Sequence, residues 1–178
     1  MNSDFIVVSY GTANGYWRFA DRLETGCIRV GLKHDIQHLP STPRPKAYLM
    51  KPRFIRSRLD NLGTIVWMDA DTTVLRPFTL PDGNWDVGLI PNTTAKSRNK
   101  NPTSSFVLAF RPTDGARTLL GIWAYLCDWP ELSIKRQDHK RLTWAREISE
   151  GRHTEIDLSD CLRGCLIRDV GTQKEAAT

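Results

Sequence analysis

The first apolar cluster of the chain, "DFIVVSY" at Asp4 to Tyr10, is short and rich in β-branched residues, and "GTANG" closes it. A run of that length ended by glycines predicts a buried strand followed by a loop. The period then changes: Tyr16, Phe19, Ala20 and Leu23 recur at i, i+3, i+4 and i+7, which is one face of a helix. "CIRVGL", residues 27–32, reads as a second strand, and the polar, proline-rich "KHDIQHLPSTPRP" as a connection. In "KAYLMKPRFIRSRLDNLG" the residues Ile55, Leu59 and Leu62 share a helix face, and Gly63 is placed to end it. Pro52 is expected near the first turn of that helix, where a missing N–H costs little.

"TIVWM" follows that glycine directly and predicts a further strand, as do "WDVGLI" and "SSFVLAF". The clearest helix is "PTDGARTLLGIWAYLCDW". Its Ala116, Leu119, Leu120, Trp123, Ala124 and Cys127 hold the helical spacing, with Thr113 or Asp114 as its N-cap. A last helix is expected over residues 138–149, turning Leu142, Ala145 and Ile148 inward. Strands separated by helical segments predict an α/β fold in which helices flank a mostly parallel central sheet. One domain over residues 1–172 and a disordered tail over 173–178 are expected.

Composition adds limits rather than a function. At 178 residues and 40% hydrophobic content, the chain can bury one sizeable core. No apolar run approaches the roughly 20 residues that cross a bilayer, and "MNSDFIVVSYGT" lacks the basic start of an export signal, so a cytoplasmic protein is expected. The four cysteines form no CxxC pair and suit reduced thiols; Cys161 and Cys165 read as sharing a helix face, without the further ligands a zinc site needs. The net charge of +5 gathers at "KSRNK" (96–100) and "KRQDHKRLTWAR" (135–146), which suits a phosphate-rich ligand or a polyanionic partner.

The candidate chemistry lies in "TIVWMDADTTVLRPF", where a strand-forming run ends in Asp69 and Asp71. Carboxylates at i and i+2 around a small residue reach past a strand end when the chain turns there, and their oxygens suit Mg2+ or Mn2+. The same spacing also serves a phosphoryl-accepting aspartate, or a turn cap beside a solvated acid. In a mostly parallel sheet the carboxyl ends of the strands are where ligands gather.

The stretch "KPRFIRSRLDNLGTIVWMDADTTVLRPF", residues 51–78, resembles the signature region of nucleotide-sugar-dependent glycosyltransferases of the GT-A fold, glycogenin-like members in particular. "FIVVSYGT", "SSFVLAFRPTDGARTLLGIW" and "RQDHKRLTWA" continue the likeness in the expected order over most of residues 4–150. The resemblance implies a single Rossmann-like GT-A domain that transfers a sugar from a nucleoside-diphosphate donor, a UDP-sugar foremost. It implies that Asp71 binds a divalent cation directly, while Asp69 holds the metal shell or the ribose. It places Lys51 beside the phosphates or ribose, Tyr10, Gly11 and Thr12 at the base and ribose, and Asp138 beside the donor sugar as the catalytic acidic residue. Ser104 and Ser105 match the position that faces the sugar. The family's C-terminal metal-binding motif has no full copy here; His153 is what the tail offers as a further ligand.

Two rivals remain from the residues themselves. "WMDADTTV" also fits the DxDxT motif of haloacid-dehalogenase-like phosphatases, with Asp69 as nucleophile, Asp71 as acid/base and Thr73 assisting. Order opposes it: 68 residues precede the motif, and no apolar strand ending in paired acids follows. The basic stretches suggest instead a nucleic-acid-binding module, or a transferase whose acceptor is a polyanion such as DNA.

Overall fold

The computed structural model describes residues 4–13, 15–91, 103–129 and 138–168. The strands are β1 (Ile6–Thr12), β2 (His34–Leu39), β3 (Ile65–Met68), β4 (Thr72–Val74), β5 (Val87–Pro91), β6 (Thr103–Phe110), β7 (Glu155–Asp157) and β8 (Leu166–Arg168). The helices are α1 (Trp17–Val30), α2 (Arg44–Leu62), α3 (Asp114–Asp128), α4 (Asp138–Ile148) and the short α5 (Ser159–Leu162).

The central sheet has six strands in the order β2-β1-β3-β6-β5-β7. β1 runs parallel to β2 and β3, and β5 parallel to β7; only β6, antiparallel to both its neighbours, opposes the rest. Alternation along the strands feeds two cores. Val8, Tyr10, Ile65, Trp67, Leu108 and Phe110 face the side covered by α2, α3 and α4. Val7, Val66, Met68, Val107 and Ala109 face the side covered by α1 and α5. All four residues of β3 are buried, as expected for a strand covered on both faces.

Local sequence decides several elements as expected. The apolar face of α3 is buried from Ala116 to Cys127, and Thr113 caps it by accepting the Ala116 N–H. Gly63 ends α2, its N–H donating to the Leu59 carbonyl.

Elsewhere the structure corrects the reading. "CIRVGL" is no strand: residues 27–30 finish α1, because Cys27 stays on the stripe of Phe19, Ala20 and Leu23 while Ile28 points outward. Gly31, at φ 73°, supplies the left-handed cap that stops this helix. The second strand lies instead in polar "HDIQHL", an edge strand held by parallel pairing to β1, with Ile36 its buried residue. Pro52 lies inside α2, and the proline of the first turn is Pro45. Ile148 is exposed, and α5 ends at Leu162, so Cys161 and Cys165 share no helix.

Pairing between β4 and β8 was outside the expectation altogether. These strands form a separate two-stranded antiparallel sheet in which Thr72 faces Arg168 and Val74 faces Leu166. Beyond it, the Leu75 N–H donates to the Cys165 carbonyl at 2.7 Å. α1 presses on β4 from the other side: a Cβ on Gly26 would lie 3.2 Å from the Val74 carbonyl oxygen, and Arg29 donates to that same oxygen at 2.7 Å. The C-terminal segment is thereby laid beside the turn that carries Asp69 and Asp71.

At the far edge of the sheet, Glu155 of β7 accepts hydrogen bonds from Arg146 and pairs with His153. Burial pushes its carboxyl up, yet the hydrogen bonds and charges of Arg146 and His153 outweigh this and hold it below its ordinary value. A carboxylate lowered on folding stabilises the protein above its unfolded pKa, and that stability goes as pH falls through the lowered value. Glu155→Gln should therefore lower the melting temperature at neutral pH, and the gap from wild type should narrow as melts are taken down into the acid range where the carboxyl protonates. A gap of constant size across that series would refute the coupling.

Candidate functional site

β3 ends at Met68, and the Asp69 N–H extends its ladder by one bond to the Phe106 carbonyl, at 2.7 Å. The chain then turns at once, the Thr72 N–H donating to the Asp69 carbonyl at 2.9 Å. Ala70 sits buried inside this turn and lines the cleft between the two acids. The turn brings Asp69 and Asp71 out at one end of the strand, both largely shielded from solvent, with side chains 17% and 8% exposed.

Buried carboxylates demand partners, and three donors converge on Asp69. Lys51 Nζ, itself 3% exposed, lies 2.8 Å from Oδ1, and Trp67 Nε1 donates to the same oxygen at 3.1 Å. Arg168 donates to Oδ2 at 3.1 Å, and its Nε stands 3.6 Å from Oδ2 of Asp71. Lys51 reaches this point from the middle of α2 rather than its start. There it also meets the Ser105 carbonyl at 3.4 Å and the face of the Trp67 ring at 5.3 Å. Arg168 lies over the Phe106 ring, 5.2 Å from its centroid.

These charged groups line a cleft of about 600 Å³, its open mouth included, whose other walls are aromatic: Tyr10, Tyr16, Tyr48 and Trp67. Tyr10 is fixed by its hydroxyl, which donates to the Ala47 carbonyl at 2.6 Å, and by edge contact with Phe54. Thr12 also lines the cleft and accepts the Tyr16 N–H on its carbonyl, at 3.0 Å. Gly11 does not line it. A Cβ there would fall 2.6 Å from the Tyr16 carbonyl oxygen and 2.8 Å from the Ala20 Cβ, so this glycine lets β1 and the start of α1 meet.

The structure thus gathers Tyr10, Thr12, Lys51, Asp69 and Asp71 around one cleft. Ser105 is buried and takes part through its carbonyl, and Ser104 accepts the Phe106 N–H through its hydroxyl at 3.5 Å. His153 is not brought to the aspartates. It bonds to the Ser149 carbonyl and to Glu155 on β7, three strands from β3, which is roughly 14 Å of sheet. Asp138 is the first residue of α4, and its side chain lies outside the described residues, as do Lys96 to Lys100, Lys135 and Arg136. Arg141 is buried with its guanidinium donating to the Cys127 carbonyl, and Arg146 is held by Glu155 and Thr103; neither presents a basic surface.

Sequence reading missed Arg168, Tyr48 and the cleft position of Tyr16. Arg168 is separated from Asp69 by 99 residues, and nothing in "CLIRDV" links it to the DxD stretch. Only the β4–β8 pairing does so.

One guanidinium reaches both aspartates, Nη2 to Asp69 and Nε to Asp71, so the two carboxylates share one cationic neighbour. Mg2+ and Mn2+ are commonly held by one or two carboxylates with substrate phosphates and water completing the shell, and Asp69 and Asp71 fit that donor set. Among the described residues there is no group of three or more His, Cys, Asp or Glu that could hold a metal ion, so phosphate and water would have to complete the shell.

No family model matches the sequence, and the search of curated proteins found no match. Solved structures do match it. A glycosyltransferase involved in the glycosylation of the major capsid of PBCV-1 matches with a TM-score of 0.67 over 96% of this chain and 95% of its own, at 13% identity. The glycosyltransferase GlyE of Streptococcus pneumoniae TIGR4, in its apo form, matches with a TM-score of 0.59 at 12% identity. That match covers 89% of this chain but 46% of GlyE, so the chain spans about half the length of that relative. The fold is therefore a glycosyltransferase-like α/β fold, and the first comparison shows that it occurs at this chain length.

Packing at Gly11 gives a direct check on how the cleft is built. Gly11→Ala should cost about 1–3 kcal/mol, the usual penalty for overfilling a packed contact, and should lower the melting temperature measured by circular dichroism. An unchanged melt would mean that β1 and α1 do not meet as described.

Proposed function

We propose that the cleft binds a nucleoside-diphosphate sugar, a UDP-sugar foremost, and that the protein transfers the sugar to an acceptor with the help of Mn2+ or Mg2+. The observation that carries this reading is the convergence of Asp69 and Asp71 at the end of β3, inside an aromatic-walled cleft, in a chain with a glycosyltransferase-like fold. Asp71 and Asp69 would hold the cation, which when bound supplies positive charge against the leaving diphosphate. Tyr10, Tyr16 and Tyr48 offer flat apolar surface for a base, and Thr12 a hydroxyl for the ribose. Lys51, buried and engaged with Asp69, orients that carboxylate. Asp138 is proposed as the acidic residue at the donor sugar.

Phosphoryl transfer through Asp69 fits less well. The solved structures that share this fold are glycosyltransferases, and β1, α1, β2 and α2 all precede the aspartates, whereas the phosphatase motif usually opens its domain. A polyanionic acceptor such as DNA has lost Arg141 and Arg146 as support, and rests on the half-buried Lys140 and on basic residues outside the described ones.

A thermal-shift screen of nucleotide-sugars with and without Mn2+ should show stabilisation by a UDP-sugar that depends on the metal. Asp71→Ala should abolish the metal-dependent part while the protein stays folded. Full metal-dependent binding by that variant would remove Asp71 from the site.

A further inference from the structure

Among the described residues that line the cleft, the charged ones are Lys51 and Arg168 on one side and Asp69 and Asp71 on the other. The formal charges cancel. A divalent cation entering by itself would have to displace Arg168 from both carboxylates and would leave two excess positive charges in a partly closed, low-dielectric cleft. A cation that enters with a diphosphate brings the compensating negative charge with it. The two cationic side chains are also not equally free to yield. Lys51 is 3% exposed and wedged between Asp69, the Ser105 carbonyl and the Trp67 ring. Arg168 is 36% exposed and meets the aspartates at 3.1 and 3.6 Å.

Resting on the donor reading above, we propose that Arg168 is a positioning residue that makes filling of the cation site conditional on the donor diphosphate. Without the donor its guanidinium occupies the locus between Asp69 and Asp71 and keeps the carboxylates paired. With the donor it gives up the carboxylates to the metal, and the diphosphate charge takes over as its partner. Linkage then requires the effect to be mutual: metal and diphosphate each strengthen the other's binding by the same factor. Arg168 sets much of that factor, by weakening the binding of metal alone.

The test is a titration of Mn2+ followed by loss of its free-ion EPR signal, in the wild type, Arg168→Gln and Arg168→Lys, with and without UDP, the UDP arms read against a protein-free titration of Mn2+ with UDP. Arg168→Gln should bind Mn2+ alone at least about tenfold more tightly than the wild type, since a competing charge is gone. The strengthening of Mn2+ binding by UDP should shrink in this variant, and the strengthening of UDP binding by Mn2+ should shrink with it to the same value. Arg168→Lys, whose single ammonium does not span both carboxylates, should fall between the two. A merely structural role for Arg168 predicts the opposite sign, because a loosened site binds metal less well. Should melts show Arg168→Gln to be unfolded, Arg168→Lys carries the same comparison. Affinity for Mn2+ alone that is equal to or weaker than wild type in a folded variant overturns the proposal. Absence of any UDP effect in all three proteins would instead overturn the donor reading, while the arm with Mn2+ alone still judges Arg168.

Discussion

Two carboxylates stand at the end of a buried strand, and the surrounding structure is arranged to make that tolerable. Removing one partner from a buried ion pair leaves an uncompensated charge that costs several kcal/mol, so Asp69 and Asp71 cannot be left alone at this depth. Their partners come from opposite directions along the chain: Lys51 from α2, 18 residues before Asp69, and Arg168 from β8, 99 residues after it. The C-terminal return across β4 is therefore part of the site and not an appendage, since it carries the second cation.

Rigidity at this point comes from packing on both sides of the sheet. β3 is buried on both faces, and Ser9 ties β1 to the strand end by donating to the Met68 carbonyl at 2.6 Å. Gly26 allows α1 to press against β4, and Gly11 allows the same helix to start against the end of β1. The turn from Asp69 to Thr72 is thus held between closely packed elements. A cation site made of two side chains needs such support, because a carboxylate displaced by about 1 Å no longer shares a ligand with its neighbour.

Much of this was legible in the sequence, element by element. The strands containing "FIVVSY", "IVWM" and "FVLAF" and the helix from Asp114 to Asp128 follow from runs and spacings that are strong enough to need no context. "CIRVGL" misled because its β-branched content suggests a strand, while the stripe ending at Cys27 binds it to the preceding helix. "HDIQHL" misled in the opposite way. It has little apolar content, and is a strand only because β1 offers it a partner edge. Of the site, Asp69 and Asp71 are legible in the chain's own pattern, and Lys51, Tyr10 and Thr12 through its resemblance to a family; the same resemblance offers His153 as a metal ligand, whereas the structure holds it beside β7.

The sequence by itself determined the layered α/β character, the position of the paired aspartates at a strand end, and the residues flanking them. These are local properties, set by hydrophobic period, glycine placement and the turn that follows an apolar run. Tertiary structure alone decided which cations neutralise those aspartates, that Gly11 serves packing rather than the cleft, and that Tyr16 and Tyr48 join Tyr10 in one wall. Each of those facts depends on contacts between segments far apart in the chain. Such contacts arise from burial and sheet pairing across the whole domain, which no short window of sequence records.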